Sequence, residues 1–232
     1  MKYVKNGSDY MKEKVNIENW ERKEAFNFFS KFNDPYASVT TIINVDKLLN
    51  YAKDNKLSFY GIMSYVVLKT INDLNEYKYV LEDDGVYKYN QINMSFSVLK
   101  NNNILNFSRT VLYNDFEIFI KDFIDAKNEA ESESQIPYIS GNNKIYITCI
   151  PWIRITAVDN PKNYDKVDSI PRICWGKYFF ENGEYKMDIS LQINHAFQDG
   201  YHIGLFFNTL QDNISKFMEK DNEKKYCLHR FR

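Results

Sequence analysis

From Met187 to His195 apolar and polar side chains alternate, with Met187, Ile189, Leu191 and Ile193 set against Asp188, Ser190, Gln192 and Asn194. A period of two predicts a strand with one apolar face, and it puts His195 in phase with that face at the strand's end. Beyond it the period lengthens. Ile203, Phe206, Phe207, Leu210, Ile214 and Phe217 share a helical face and predict a helix over His202–Met218. Phe116, Phe119, Ile120, Phe123 and Ile124 do the same for Phe116–Glu131, and Phe59–Leu74 is apolar enough to be a buried helix. Two shorter helices are expected: Trp20–Phe29, with Ala25, Phe28, Phe29 and Phe32 to one side, and Lys47–Asp54 behind a capping Asp46. Asp34-Pro35 closes the first of these.

Further strands are predicted at Val39–Val45, Val86–Tyr89, Ile92–Leu99, Ile104–Thr110, Lys144–Ile150 and Ile170–Phe179. The second, third and fourth read as an antiparallel meander with a tip at Asn101, Asn102 and Asn103. With no repeat, low-complexity linker or hinge, residues 1–232 read as a single domain, residues 1–14 being a loose N-terminal extension. The fold class is α/β, an α+β two-layer sandwich in which a mixed β-sheet is flanked by helices.

Charge narrows the partners. A formal net charge of −1 gives no field to attract nucleic acid or an anionic membrane, so a small neutral or mixed ligand is expected. Aromatic residues make up 16% of the chain, enough to line a pocket or an interface as well as a core. The three cysteines Cys149, Cys174 and Cys227 form no CxxC pair, and their odd number speaks for a reducing compartment. The polar N-terminus lacks the apolar stretch of a signal peptide, and no run approaches the roughly 20 apolar residues of a membrane span. A cytoplasmic protein is expected.

The segment Asn194–Gly200 carries the candidate chemistry. His195 arrives on an apolar face, Asp199 follows four residues later, and Gly200 allows a tight turn before the helix. An imidazole with an ordinary pKa of about 6.5 is a competent general base near neutral pH. From spacing alone, Asp199 either orients the ring or fixes the turn through a basic partner. A metal reading would group His195, Asp199 and His202, although the spacing is not of the HExxH kind. A nucleophile reading would pair His195 with Cys149 or Cys174. No GxSxG elbow, GxxxxGK[ST] loop or GxGxxG fingerprint occurs, which removes support for serine hydrolases, phosphoryl transfer and Rossmann dehydrogenases.

Taken together, these landmarks resemble the chloramphenicol acetyltransferase family, the trimeric type A enzymes, over about Val15–Phe217. The family's HHxxxDGxH signature reads here Asn194-His195-Ala196-Phe197-Gln198-Asp199-Gly200-Tyr201-His202, with Asn194 in place of the first histidine. Trp20-Glu21-Arg22-Lys23-Glu24-Ala25-Phe26 is similar to its N-terminal block, Thr148-Cys149-Ile150-Pro151-Trp152 to its S-x-[LI]-P-W segment, and Gly176-Lys177-Tyr178 to its [AG]-K-Y. Phe59-Tyr60 resembles its F-Y pair.

The resemblance implies a coenzyme A-dependent acyltransferase fold, a homotrimer with active sites at subunit interfaces, and acetyl transfer from acetyl-CoA to a hydroxylated small molecule such as chloramphenicol. His195 would be the general base, Thr148 the oxyanion donor in place of a serine, and Arg22 with Asp199 a structural ion pair. Trp152, Lys177, Tyr178 and Tyr60 would lie on the coenzyme side. Phe28, Phe29, Leu99 and Cys174 would line the acceptor pocket, Leu99 replacing a phenylalanine and Cys174 a threonine. No metal is implied. Dihydrolipoamide acyltransferases share the HxxxDG motif, but 232 residues leave no room for their lipoyl domain and linker. A non-catalytic binder of the same fold is the reading from another class.

Overall fold

The computed structural model describes residues 11–133, 136 and 141–229, with side chains through residue 217. In chain order it contains β1 (Lys12–Lys14), α1 (Lys23–Phe29), β2 (Tyr36–Asn44), α2 (Asp46–Asp54), α3 (Phe59–Asp73), β3 (Tyr79–Glu82) and β4 (Gly85–Tyr89). There follow β5 (Asn93–Leu99), β6 (Leu105–Thr110), α4 (Phe116–Ser132), β7 (Lys144–Cys149), β8 (Arg172–Glu181), β9 (Glu184–Asn194) and α5 (Gly200–His229). Short 3₁₀ turns at Ile17–Asn19 and Asn75–Lys78 join the early elements.

Six strands form a mixed sheet in the order β2-β9-β8-β7-β5-β6. The pairs β5·β7 and β7·β8 are parallel and the others antiparallel. Helices α2 to α5 pack on one face. Trp175, Phe96, Phe119, Phe123, Phe206 and Leu68 are buried in the core between sheet and helices, each contributing on the order of 1.5–3 kcal/mol. The architecture is thus α/β, a mixed sheet flanked by helices.

The expected meander is only half formed. Val86–Tyr89 leaves the main sheet and joins β1 and β3 in a separate three-stranded sheet of order β1-β4-β3. Only Ile92–Leu99 and Ile104–Thr110 pair as a hairpin, around the expected asparagine tip, where Asn103 takes φ 61°. Local pattern could not show this, because which strand pairs with which is set by non-local register. Lys12–Lys14 is likewise strand rather than loose extension, paired through β4. The rest of that extension, Met1 to Tyr10, lies outside the described residues, as does the side chain of Cys227. Asp46 opens α2 without capping it: its Oδ1 accepts from Tyr185 N instead.

The small sheet matters because of what it supports. Trp20 packs against Tyr79 and Phe197, with ring centroids 5.1 and 5.9 Å away, and Phe26 meets Phe197 at 5.7 Å. Ala196 and Phe197 are buried in this second core. It is the floor beneath the His195 turn.

Candidate active site

His195 lies one residue past β9, in the turn that leads to α5. Its N donates to Pro35 O at 2.7 Å, and its ring stacks on Phe29 with centroids 4.0 Å apart. Phe28 and Phe32 surround Phe29 and are 58% and 45% exposed, so an open aromatic shelf flanks the imidazole. The inward side of α1 is therefore Phe26 and Phe29, not the full stripe of Ala25, Phe28, Phe29 and Phe32.

Arg22 Nη1 donates to Asp199 Oδ2 at 2.9 Å, joining residues far apart in sequence, and its Nη2 reaches His195 O at 3.4 Å. The other Asp199 oxygen is 2.8 Å from His202 Nδ1 and accepts from Tyr201 N at 3.0 Å. Burial alone would raise the Asp199 carboxyl, but the bonds from Arg22 and His202 overcome it and hold the pKa down at about 2. Asp199 is thus occupied by Arg22 and His202, and no hydrogen bond joins it to the His195 ring.

Thr148 is elsewhere. It pairs with Cys174 across β7 and β8, and Cys174 pairs with Ser190 across β8 and β9. These residues share the sheet face turned away from the helices. Around the C-terminal end of β7 gather the other predicted residues: Leu99 at the end of β5, Pro151-Trp152 in the following loop, and Lys177-Tyr178 on β8. Trp152 is 65% exposed and Tyr178 40%. Lys177 N donates to Ile153 O at 2.7 Å, which ties the tryptophan loop to β8. Phe59, rather than Tyr60, meets Tyr178, at 6.0 Å. The Tyr60 ring is packed among Phe96, Phe123 and Trp175, and its hydroxyl donates to Ser97 O at 3.0 Å.

His195 stands five residues beyond Ser190 along β9, while Thr148 sits two strands to the side of Ser190. At strand spacings these offsets amount to roughly 17 Å along the sheet and roughly 10 Å across it. Within one chain the imidazole and the Thr148 hydroxyl cannot meet. Arg22, Asp199, Phe28 and Phe29 go with His195; Cys174, Leu99, Trp152, Lys177 and Tyr178 go with Thr148.

The family model described as chloramphenicol acetyltransferase matches residues 10–211. The chain belongs to the chloramphenicol acetyltransferase family. Chloramphenicol acetyltransferase 3 of Escherichia coli is 24% identical over 203 residues, 86% of this chain and 95% of that protein. A solved chloramphenicol acetyltransferase superposes with a TM-score of 0.77 at 29% identity, covering 88% of this chain and 100% of the other. The dihydrolipoamide acetyltransferase of Azotobacter vinelandii shares the fold, with a TM-score of 0.65 at 13% identity over 84% of this chain and 86% of its own. Family membership makes this chain an acyltransferase.

The two described cysteine side chains, Cys149 and Cys174, are poor nucleophiles. Burial pushes the Cys149 thiol up to about 12 and the Cys174 thiol up to about 11, so both stay protonated at neutral pH. They also face opposite ways, since Cys149 pairs with Trp175 on the core face. Among the described residues no group of three or more His, Cys, Asp or Glu side chains could hold a metal ion, and no helix is long and apolar enough to cross a membrane.

Two features escaped the sequence. A Cβ on Gly176 would stand 2.8 Å from Ile153 O, so glycine lets the tryptophan loop approach β8 this closely and a side chain here would make the loop shift. An isolated glycine between Trp175 and Lys177, inside a strand pattern, was the available signal. Arg154 forks Asp188 at 2.8 and 3.1 Å and lies 3.6 Å from the Phe179 ring, fixing the same loop. Nothing local announced that pair.

Proposed function

We propose that this chain transfers the acetyl group of acetyl-CoA to a hydroxyl of a small molecule, chloramphenicol or a similar acceptor. It does so as a homotrimer whose sites form between subunits. The observation that carries this reading is the separation of His195 from Thr148 by roughly 20 Å of sheet. Each chain offers a base with an open aromatic shelf at one end and a hydroxyl with an exposed aromatic loop at the other. A closed ring of copies, each bringing its His195 end to the next one's Thr148 end, unites both halves at every interface.

The chemistry follows from the groups. His195 Nδ1 is buried, which leaves Nε2 to take the acceptor's hydroxyl proton. The freed oxygen attacks the thioester carbonyl, and Thr148 Oγ1 of the adjoining subunit donates a hydrogen bond to the oxyanion that develops. Collapse expels the coenzyme A thiolate, to which His195 returns the proton. With both described thiols held protonated, no acyl-enzyme is needed. Phe28, Phe29 and Leu99 offer apolar surface to the acceptor. Trp152, Lys177 and Tyr178 offer stacking and a cation to the coenzyme.

The test is thiol release from acetyl-CoA with and without chloramphenicol. Acceptor-dependent release that disappears in His195→Ala supports the reading. Unchanged release in that variant overturns it, and tight acceptor binding without acetylated product points to the non-catalytic binder. Release with a different hydroxylated acceptor keeps the chemistry and changes the substrate.

A further inference from the structure

The buried Asn194 side chain is bonded at both ends. Its Oδ1 accepts from Ala196 N at 2.9 Å, closing the turn around His195, and its Nδ2 donates to Asp168 O at 2.9 Å. Asp168 is itself clamped. Tyr36 Oη donates to its O at 3.0 Å and accepts from its N at 2.9 Å, while Arg172, only 6% exposed, forks its carboxylate at 2.8 and 3.2 Å. One buried amide thus ties the histidine turn to a fixed point on a segment well separated in sequence.

The imidazole has little else to set its pose. His195 Nδ1 has no hydrogen-bond partner among the described residues, and the ring lies stacked on Phe29 at an interplanar angle of 23°. A ring not held by its own nitrogens takes its direction from the turn that carries it, and from what closes that turn.

We propose that Asn194 is the positioning residue for His195, setting the angle at which the imidazole meets the acceptor hydroxyl. This rests on the acetyl-transfer reading of the site. An amide suits the task because it donates and accepts at once and does not titrate. The charged and titratable groups at the turn include Asp168, Arg172, Arg22 and Asp199, each already in an ion pair, and His202, held on Asp199. Asn194→Ala loses both bonds. Asn194→Asp keeps the acceptor for Ala196 N, loses the donor, and turns a carboxylate toward the Asp168 carbonyl. Asn194→His can restore both bonds only while neutral, because protonation removes its acceptor.

The experiment combines kinetics with an NMR titration of the full chain, whose three histidines are assigned with the help of His195→Ala. Asn194→Ala is expected to lower kcat by about 10- to 100-fold while the KM for acetyl-CoA stays within about twofold, as for a displaced but intact base. The His195 resonance moves and that of His202 does not. Relative to wild type at the same pH, Asn194→His recovers most of the rate above the imidazole range and loses that recovery as pH falls through it. A kcat within about twofold of wild type with an unmoved His195 resonance overturns the proposal. So does a loss of kcat matched, in Asn194→Ala, Asn194→Asp and Asn194→His alike, by a loss of folded protein in circular dichroism. Should wild type release no thiol with any acceptor, the acetyl-transfer reading fails by itself. The His195 resonance then decides the positioning role: shifted, it stands; unmoved, it falls. If Asn194→Ala does not fold, Asn194→Asp and Asn194→His make the same comparison.

Discussion

At the His195 end of the sheet the chain is held by ion pairs and hydrogen bonds spanning distant segments, with Arg22 on Asp199 and Arg172 on Asp168. At the Thr148 end one ion pair, Arg154 on Asp188, is joined by close approach and aromatic packing: Gly176 under the Ile153 carbonyl, Phe59 on Tyr178, and Arg154 on Phe179. The first end responds mainly to charge and pH, the second mainly to volume. That division suits the work proposed for each. Moving a proton needs an imidazole whose surroundings fix charge, while holding a thioester needs a shaped surface.

The sharpest break of this comparison mixes the two ends. His195→Ala alone should cost about 10²- to 10⁴-fold in kcat and Thr148→Ala about 10²- to 10³-fold. Refolded together, the two inactive chains should regain about one quarter of the wild-type rate, because a hybrid ring has one interface that pairs an intact His195 with an intact Thr148. A mixture that stays as dead as its components would show that both groups act within one chain.

Charge at the first end comes next. Asp199 is held at about 2 from its ordinary 3.8, a lowered pKa, so its contribution to stability is present above about pH 4 and is lost as pH falls toward 2. Denaturation measured across that window should show wild type losing stability that Asp199→Asn never had. At neutral pH Arg22→Met should cost about 1–2 kcal/mol, below the figure for a fully buried pair, because the Asp199 side chain is 37% exposed. Parallel curves for wild type and Asp199→Asn would break the claim.

Volume at the second end is tested by Gly176→Ala, which drives a methyl into the Ile153 carbonyl. We expect a loss of about 1–3 kcal/mol and a raised KM for acetyl-CoA, with the pH profile of kcat unchanged. The smallest effect is expected for Cys149→Ala and Cys174→Ala, each within about threefold of wild-type kcat, since neither thiol ionises near neutral pH. A larger loss in either would give a thiol a part in the chemistry.

Much of this was legible beforehand where the cause is local. The period of Met187–Asn194 marks β9, and the heptad-like stripe after Gly200 marks α5, because side-chain direction repeats with the backbone. The same strand also shows where such reading stops. Asp188, Ser190, Gln192 and Asn194 form the polar side of the alternation, yet all four are buried, with Arg154 on Asp188 and Asp159 on Gln192. Alternation distinguishes two faces but cannot say that both are covered. Similarly, Val86–Tyr89 was evident as a strand, while its departure to the small sheet was not.

By itself the sequence determined the long helices, the strands of the main sheet, the turn that carries His195, and the side chains available for chemistry, but not β1 or β3, because steric periodicity and turn chemistry act over a few residues. The Arg22–Asp199 pair was already implied by the family resemblance, whereas only the tertiary structure decided that Asn194 is clamped to Asp168 and that His195 and Thr148 lie at different ends of one sheet. Those outcomes depend on strand order and register, which are fixed by contacts between segments far apart in the chain.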